Sequence, residues 1–360
     1  MATCLAACSA TKEDPAPQNS ENDQLYFPPI GTDDWESITP QSLNWEMNQL
    51  DALLEYLQAN KTRAFLILKE GKIVVEQYWG NNISNTQAFD RNALWYWASA
   101  GKTLTAFLVG IAQQEGLLNI QDKSSDYLGQ HWTSMGLEKE NLITVWHQLT
   151  MTTGLDYTVP NLDCTLPECL QYQQDAGSQW YYHNGPYTLL DAVISQASGI
   201  PFNQFSDEKV ENKIGMSGTW IKSDFNNVYW STARDAARFG LLVLNKGKWG
   251  NEAILQDQAY FEAMTQPSQN LNPSYGYLWW LNGSNAIIYP GFDTPFSFSF
   301  SPDAPTDLIT AAGKNGQFID IVPSQNLVII RMGEAPEGSL VPIPFHNDIW
   351  KKIKTMIDGL

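Results

Sequence analysis

Basic residues are scarce in this chain of 360 residues. Lysine and arginine together number 21 against 39 aspartates and glutamates, which gives a formal net charge of −18. Nucleic acid and anionic membrane surfaces repel a protein this acidic, so we expect neither as a partner. No apolar run approaches the ~18 residues that a membrane-spanning helix needs, so we expect no spanning segment.

Histidine and several catalytic signatures are also rare or missing. The chain has 4 histidines, none in a His-Glu-x-x-His pair, so the sequence does not support a zinc hydrolase. No Gly-x-Ser-x-Gly turn is present for an α/β-hydrolase nucleophile. Phosphate-binding glycine loops and dinucleotide fingerprints are missing as well. We therefore expect no metal and no cofactor.

A serine and a lysine three residues apart open a helical pattern. Apolar residues at helical spacing follow Ser99 and Lys102 and predict a buried helix ending near Gly116. Residues three apart share a helix face, so the hydroxyl and the amine can meet. Burial lowers the pKa of a lysine, which can then take the serine proton. Alone, Ser-x-x-Lys is more often a chance pair on an exposed helix.

A second segment places a phenol and an amide just before a predicted helix. Tyr182 and Asn184 are two residues apart, so an extended chain presents both side chains on one side. His183 between them points away, and we interpret it as structural. Pro186 suits the first turn of the following helix. The alternative is an aromatic turn in the core.

The third segment is Gly313-Lys314-Asn315-Gly316-Gln317, with apolar runs on both sides that predict strands. A lysine between glycines on a strand would place a cation where the backbone approaches a ligand closely. The alternative is a surface turn with a solvated lysine.

The three segments, taken in this order, resemble the motifs of the serine β-lactamase and penicillin-binding-protein superfamily. They are Ser99 to Lys102, Tyr182 to Asn184 and Lys314-Asn315-Gly316. The match is to the class C β-lactamase branch, with its family VIII esterases, D-amino-acid peptidases and nylon-oligomer amidases. The flanking stretches 143–155, 231–240 and 275–277 agree, and the resemblance covers roughly residues 60 to 350. It implies an α+β fold with an antiparallel sheet flanked by helices, an all-helical lobe, and a cleft between them.

The resemblance implies a serine hydrolase that works through an acyl-enzyme on a small-molecule substrate. Ser99 would be the nucleophile, Lys102 its base, and Tyr182 the proton donor to the leaving group. The oxyanion hole would be the backbone N–H groups of Ser99 and Gln317. Lys314 would also help to depress the pKa of Lys102. The implied substrate-binding residues are Asn184, Lys314, Asn315, Gly316 and Gln317.

Asn315 departs from the family pattern, which usually has threonine or serine there. The departure argues against β-lactam turnover more than against hydrolysis. Family VIII esterases often lose the lysine that Lys314 matches, so its presence here argues mildly against that group. We therefore rank an amide or peptide substrate above an ester, and a β-lactam third. From a different class, the scaffold also serves as a penicillin-binding sensor or a non-catalytic binding module. The oligomeric state is not predicted.

Residues 1–25 are predicted to be a truncated lipoprotein-like leader and polar linker. Leu5-Ala6-Ala7-Cys8 resembles a bacterial lipoprotein box with lipidation at Cys8, although no basic residue precedes it. We therefore expect a periplasmic protein or a membrane-anchored lipoprotein of a bacterium. Cys164 and Cys169 would form a disulfide in an oxidising compartment, the alternative being two free thiols.

Residues 26–360 are predicted to form the hydrolase domain. Its sheet would come from 60–80 and 285–335, including a hairpin at 64–78, and its helical lobe from about 99–265. Residues 346–357 are predicted to form a closing helix. Most aromatic residues are expected in the core, with Trp180 or Trp279 lining an apolar substrate pocket.

Overall fold

The computed structural model describes residues 25–336 and 341–360. The strands are β1 (Thr62–Lys69), β2 (Lys72–Tyr78), β3 (Trp95–Tyr96), β4 (Thr219–Ser223), β5 (Asn226–Ser231), β6 (Lys248–Trp249), β7 (Glu252–Ala253), β8 (Trp280–Leu281), β9 (Ile309–Gly313), β10 (Gln317–Val322) and β11 (Leu327–Gly333). The helices are α1 (Met47–Ala59), α2 (Lys102–Gln114), α3 (Ser125–Leu128), α4 (Leu137–Glu140), α5 (Val145–Leu149), α6 (Asn184–Thr188), α7 (Leu190–Ser198), α8 (Phe202–Ser206), α9 (Asn212–Ile214), α10 (Ala233–Leu244), α11 (Gln258–Met264) and α12 (Ile343–Met356).

An antiparallel six-stranded sheet with the order β2-β1-β11-β10-β9-β8 forms the centre of the molecule. The β1–β2 hairpin predicted from the sequence is present, and β1 pairs with β11 from the other end of the chain. The apolar strands β9 and β10 pair in a second hairpin. The expected fold class, an antiparallel sheet flanked by helices, is confirmed.

Helices cover both faces of this sheet. Helix α10 begins at a capping box between Thr232 and Asp235 and packs against β10 and β11. Its Gly240 lies so close to Val328 and Ile319 that a Cβ would meet their side chains. On the other face α12 packs beside α1. Successive strand residues face opposite ways, so the alternating apolar residues of β10 serve both layers.

The segment 99–265 contains more than the expected helical lobe. A three-stranded sheet with the order β3-β5-β4 and the β6–β7 hairpin lie in or beside it. These strands are two to six residues long, too short for a distinct alternating pattern. Helix α10 also falls in this range, although it packs on the main sheet.

Helix α2 is buried along most of its length, from Lys102 to Ala112. Ser99 precedes it in a 3₁₀ turn, Ala98–Gly101, and Ala98 there has φ 48°, in the left-handed region. That backbone conformation is strained for alanine, and such strain concentrates at functional sites. Within the described residues, no helix is long and apolar enough to cross a membrane.

Candidate active site

The structure brings Ser99 and Lys102 together. The Lys102 Nζ donates a hydrogen bond to the Ser99 Oγ over 3.1 Å. Lys102 is 4% exposed, whereas Ser99 stays partly accessible to a substrate. Burial lowers the pKa of Lys102 to about 7, against an opposing effect of the Asp163 charge. The lysine is therefore poised to exchange a proton with the serine near neutral pH.

Tyr182 lies beside the same pair. A side-chain hydrogen bond joins it to Ser99, and the Lys102 Nζ lies 5.1 Å from the centre of its ring. Burial raises the pKa of Tyr182, and the hydrogen bond with Ser99 acts to lower it. The phenol is therefore neutral at physiological pH and able to donate a proton. Tyr187, which sequence reasoning missed, places its ring 4.1 Å from the Lys102 Nζ.

Asn184 faces a carboxylate that the sequence did not reveal. Its Nδ2 donates a 2.7 Å hydrogen bond to Asp163 Oδ1. A carboxylate only accepts, so this contact fixes which way the amide points. The Asn184 Oδ1 is buried, and none of the described residues donates to it. Asp163 is thus tied to Asn184 and is also the charge that acts on Lys102.

Asp163 immediately precedes a small loop that a disulfide closes. Cys164 and Cys169 are bonded, with their Cα atoms 5.9 Å apart. The loop rests on the segment of Tyr182 and Asn184, because the Gly185 N–H donates to the Leu162 carbonyl over 2.7 Å. A side chain at Gly185 would also collide with the Cys164 carbonyl. The disulfide therefore restrains a loop in direct contact with the site.

The structure corrects the placement of Lys314. It lies in the turn of the β9–β10 hairpin, not on a strand, because Gly313 pairs with Gln317 across the turn. Asn315 and Gly316 have φ values of 65° and 78°, which turns use and strands do not. The Lys314 side chain is exposed. Its expected effect on the Lys102 pKa is also wrong, since burial lowers that pKa and Asp163 supplies the charge.

The turn is held by two residues that the sequence analysis did not select. The Asn315 Nδ2 donates to the Tyr96 hydroxyl over 2.7 Å. Buried Arg331 donates to the carbonyls of Asn315 and Gly316 over 2.7 and 2.9 Å. An arginine within the apolar strand Leu327–Gly333 was the available signal.

Gly313 is the strand residue next to the nucleophile. A Cβ there would collide with the Trp97 carbonyl and lie 3.0 Å from the Ala100 nitrogen. Gln317 is on β10, and its side chain bonds to Gly333 through Nε2 over 2.7 Å and Oε1 over 2.9 Å. The end of β9 therefore forms the wall of the site beside Ser99.

Two tryptophan side chains also pack near the Tyr182 ring. Trp280 stacks on Tyr182 with ring centres 5.9 Å apart, and Trp180 lies 6.4 Å from it. Of the two residues expected as alternatives for the pocket lining, Trp279 is fully buried against Phe239, and Trp180 is the one that lies beside Tyr182. His183 is buried, and burial lowers its pKa to about 4, so it is neutral, as a structural histidine would be.

The arrangement of Ser99, Lys102 and Tyr182 is accompanied by a family match over most of the chain. Residues 50–338 match the family model described as Beta-lactamase. The chain belongs to the beta-lactamase family. Members of this family are, in general terms, serine hydrolases.

Two relatives of this beta-lactamase family member show how it compares with known proteins. An uncharacterized protein of Alkalihalophilus pseudofirmus is 25% identical over 81% of this chain and 92% of its own length. A beta-lactamase of Escherichia coli is 24% identical over 61% of this chain and 60% of its own.

Solved structures share the fold. A candidate 6-aminohexanoate-dimer hydrolase from Bacillus anthracis aligns with TM-score 0.67 and 19% identity, over 89% of this chain and 87% of its own. A penicillin-binding protein homologue from Caulobacter crescentus aligns with TM-score 0.65 and 15% identity, over 85% and 97%.

Proposed function

We propose that this protein hydrolyses an amide, peptide or ester through an acyl-enzyme on Ser99. The observation that carries the proposal is the 3.1 Å contact between the Lys102 Nζ and the Ser99 Oγ. Because the pKa of Lys102 is lowered to about 7, a large fraction of the lysine is neutral at physiological pH. In that form the same contact carries the serine proton to the lysine.

The reaction proceeds in two halves. The Ser99 Oγ bonds to the carbonyl carbon while its proton passes to the Lys102 Nζ, and the neutral Tyr182 phenol then protonates the leaving group as its bond breaks. The proton held by Lys102 returns to the Tyr182 oxygen. In the second half, a water molecule attacks the acyl carbon while its proton passes, by way of the Tyr182 phenol, to the neutral Lys102 Nζ. That proton then passes to the Ser99 Oγ as the acyl–oxygen bond breaks, which releases the acid and regenerates Ser99.

Backbone N–H groups stabilise the oxyanion in this scheme. One is the N–H of Ser99, as expected from the sequence. For the second, we replace Gln317 by an N–H at the end of β9, at Gly313 or Lys314. The support is the close approach of Gly313 to the backbone from Trp97 to Ala100.

The substrate ranking rests on the hairpin turn. The Asn315 amide, which stands where the family usually has a hydroxyl, is engaged with Tyr96. This supports the third place of a β-lactam, and an amide or peptide is proposed ahead of an ester because Lys314 is present. The name of the B. anthracis neighbour, a candidate 6-aminohexanoate-dimer hydrolase, supports the first place of an amide. Asn184 is proposed to orient the acyl group, and Lys314 to attract a substrate carboxylate.

The test combines covalent labelling with a substrate panel. A fluorophosphonate should label the peptide that contains Ser99, and Ser99→Ala should abolish both labelling and turnover. Ser195→Ala is the control, because Ser195 is also partly exposed but bonds to the Asp191 carbonyl on α7. The panel contains p-nitrophenyl esters, D-aminoacyl amides and the β-lactam nitrocefin.

Two outcomes would overturn the proposal. A label on another residue would remove Ser99 as the nucleophile. Labelling without turnover of any panel member would favour a penicillin-binding sensor.

Location stays a prediction. Cys8 lies outside the described residues, as does nearly all of the 1–25 leader. The Cys164–Cys169 disulfide supports an exported protein, because such bonds persist in oxidising compartments.

A further inference from the structure

An exposed group of aromatic rings lies in the connection between β8 and β9. It consists of Tyr289, Phe292, Phe296 and Phe298, here called the aromatic strip. Phe292 is 49% exposed and Phe298 is 45% exposed. Single exposed apolar residues are common on protein surfaces, but a contiguous patch of them marks a binding site.

The rings of the aromatic strip pack on one another. Phe296 lies at the centre, with its ring 5.0 Å from Phe292, 5.7 Å from Phe298 and 5.9 Å from Tyr289. A backbone bridge between Ile287 and Phe296 closes the segment. The strip is thus an ordered apolar surface, and rigid aromatic rings bind apolar groups at low entropic cost.

The aromatic strip is connected to the active site through contacts between rings. Trp280 stacks on Tyr182, and the Tyr289 ring lies 6.3 Å from that of Trp280. A second connection runs through Tyr157, whose hydroxyl donates to Asp293 over 2.9 Å and whose ring stacks 4.0 Å from Tyr181. The strip is therefore separated from Tyr182 by one buried ring, Trp280, which is 2% exposed, and a long chain on a substrate held at Ser99 can cover that span.

The charge of this segment limits what it can bind. Asp293 is the one charged residue in the stretch 287–298, and the whole chain carries −18. An anionic group would be repelled there, and a hydrocarbon chain would gain from leaving water. We propose that the aromatic strip binds an uncharged apolar chain of the substrate, a claim that rests on the proposed hydrolase function.

The test is chain-length selectivity. One series of esters varies the acyl chain from acetate to decanoate, and a second varies the alcohol from methyl to decyl. In at least one series, kcat/KM of the native enzyme should rise with length, since each buried CH₂ contributes ~0.8 kcal/mol. In Phe292→Ala combined with Phe298→Ala, the decyl-to-methyl or decanoate-to-acetate ratio should fall by about tenfold.

A matched control uses an apolar residue of similar exposure on the three-stranded sheet. Ile221 on β4 is 47% exposed, and Ile221→Ala should keep the native ratio. If short esters are hydrolysed but the ratio is the same in native and double-variant enzymes, the strip proposal is overturned while the hydrolase proposal stands.

A second measurement does not depend on turnover. The ketone 2-undecanone has no leaving group, and its binding can be followed by tryptophan fluorescence, since Trp280 touches Tyr289. The native protein should bind it and the double variant should bind at least about tenfold more weakly. Equal binding overturns the proposal even if no substrate is turned over. A change of oligomer mass in the double variant, with ketone binding intact, would assign the strip to a second copy of the chain instead.

Discussion

Lys102 is surrounded by aromatic rings and not by acids. Its ammonium group lies over Tyr187 and Tyr182, and among the described residues no carboxylate forms an ion pair with it. The attraction of the ring faces for the ammonium group is weaker than the hydration that burial removes. Burial therefore dominates, and the pKa of Lys102 falls to about 7. The Asp163 charge partly opposes this effect. One carboxylate therefore both positions Asn184 and raises the pKa of Lys102.

The pH dependence of turnover should report this balance. With the lysine pKa at about 7, kcat/KM should fall as the pH drops below 7, because the protonated amine cannot act as a base. In Asp163→Asn the hydrogen bond from Asn184 is kept but the negative charge is lost. The lysine pKa should then fall further and the acidic limb of the profile should move to lower pH.

Asp156→Asn is the control for this shift. The Asp156 charge acts on His183, whereas the causes that set the Lys102 pKa are burial and Asp163. Its acidic limb should match that of the native enzyme. Equal displacement of the limb in both variants would show a general charge effect and contradict a specific role for Asp163.

The residues of the site differ in how far the sequence could predict them. Spacing along one chain segment was enough for Ser99 and Lys102, because helical geometry brings residues three apart together. The prediction that Lys314 lies on a strand was wrong because the register of a hairpin is set by cross-strand pairing, which a local sequence pattern does not determine. Asp163 was not predicted because its role depends on contact with Asn184, 21 residues away.

At the scale of elements, the site is the junction of the Ser99 turn with the end of β9. Gly313 allows the strand to touch the backbone of Trp97 and Ala100, and no other residue type would fit without a shift. Since this backbone carries the Ser99 N–H, the spacing of turn and strand determines the geometry of the proposed oxyanion hole.

Gly313→Ala tests this junction. The added methyl group must push the strand away from the turn, so kcat should fall by about a hundredfold, the usual loss for one displaced oxyanion donor. Gly136→Ala is the control, because a Cβ at Gly136 meets nothing within 4 Å. Circular dichroism should show both variants folded. Near-native kcat in folded Gly313→Ala would contradict the role of β9 in catalysis.

The larger elements were more predictable than the short ones. The β1–β2 hairpin and helix α12 have continuous apolar patterns, and α12 begins only three residues before the expected His346. A sheet assembled from both chain ends was predicted, and the pairing of β1 with β11 is the contact that joins the two ends. By contrast, β3, β4 and β5 form a sheet through contacts among short aromatic strands, and no single segment shows that pattern.

At the scale of the whole molecule, the net charge of −18 repels a substrate carboxylate, whereas Lys314, the exposed cation proposed for substrate binding, attracts it. Lys314 projects from the hairpin turn near the site, whereas the acidic residues are spread over the entire surface. A substrate carboxylate therefore feels a distant repulsion and a local attraction. The two can be separated, because salt screens long-range interactions over ~10 Å at 0.1 M.

Lys314→Ala and Lys354→Ala change the net charge equally, and Lys354 is an exposed residue of α12. If Lys314 attracts the carboxylate, kcat/KM for an acid substrate should fall severalfold more in Lys314→Ala than in Lys354→Ala. The matched methyl ester should show no such difference, since it has no charge to attract. Raising the salt to about 0.5 M should reduce the gap between the variants, because the lysine is exposed to solvent. Equal losses in both variants would show that the substrate senses only the net charge, and Lys314 would then have no role in recognition.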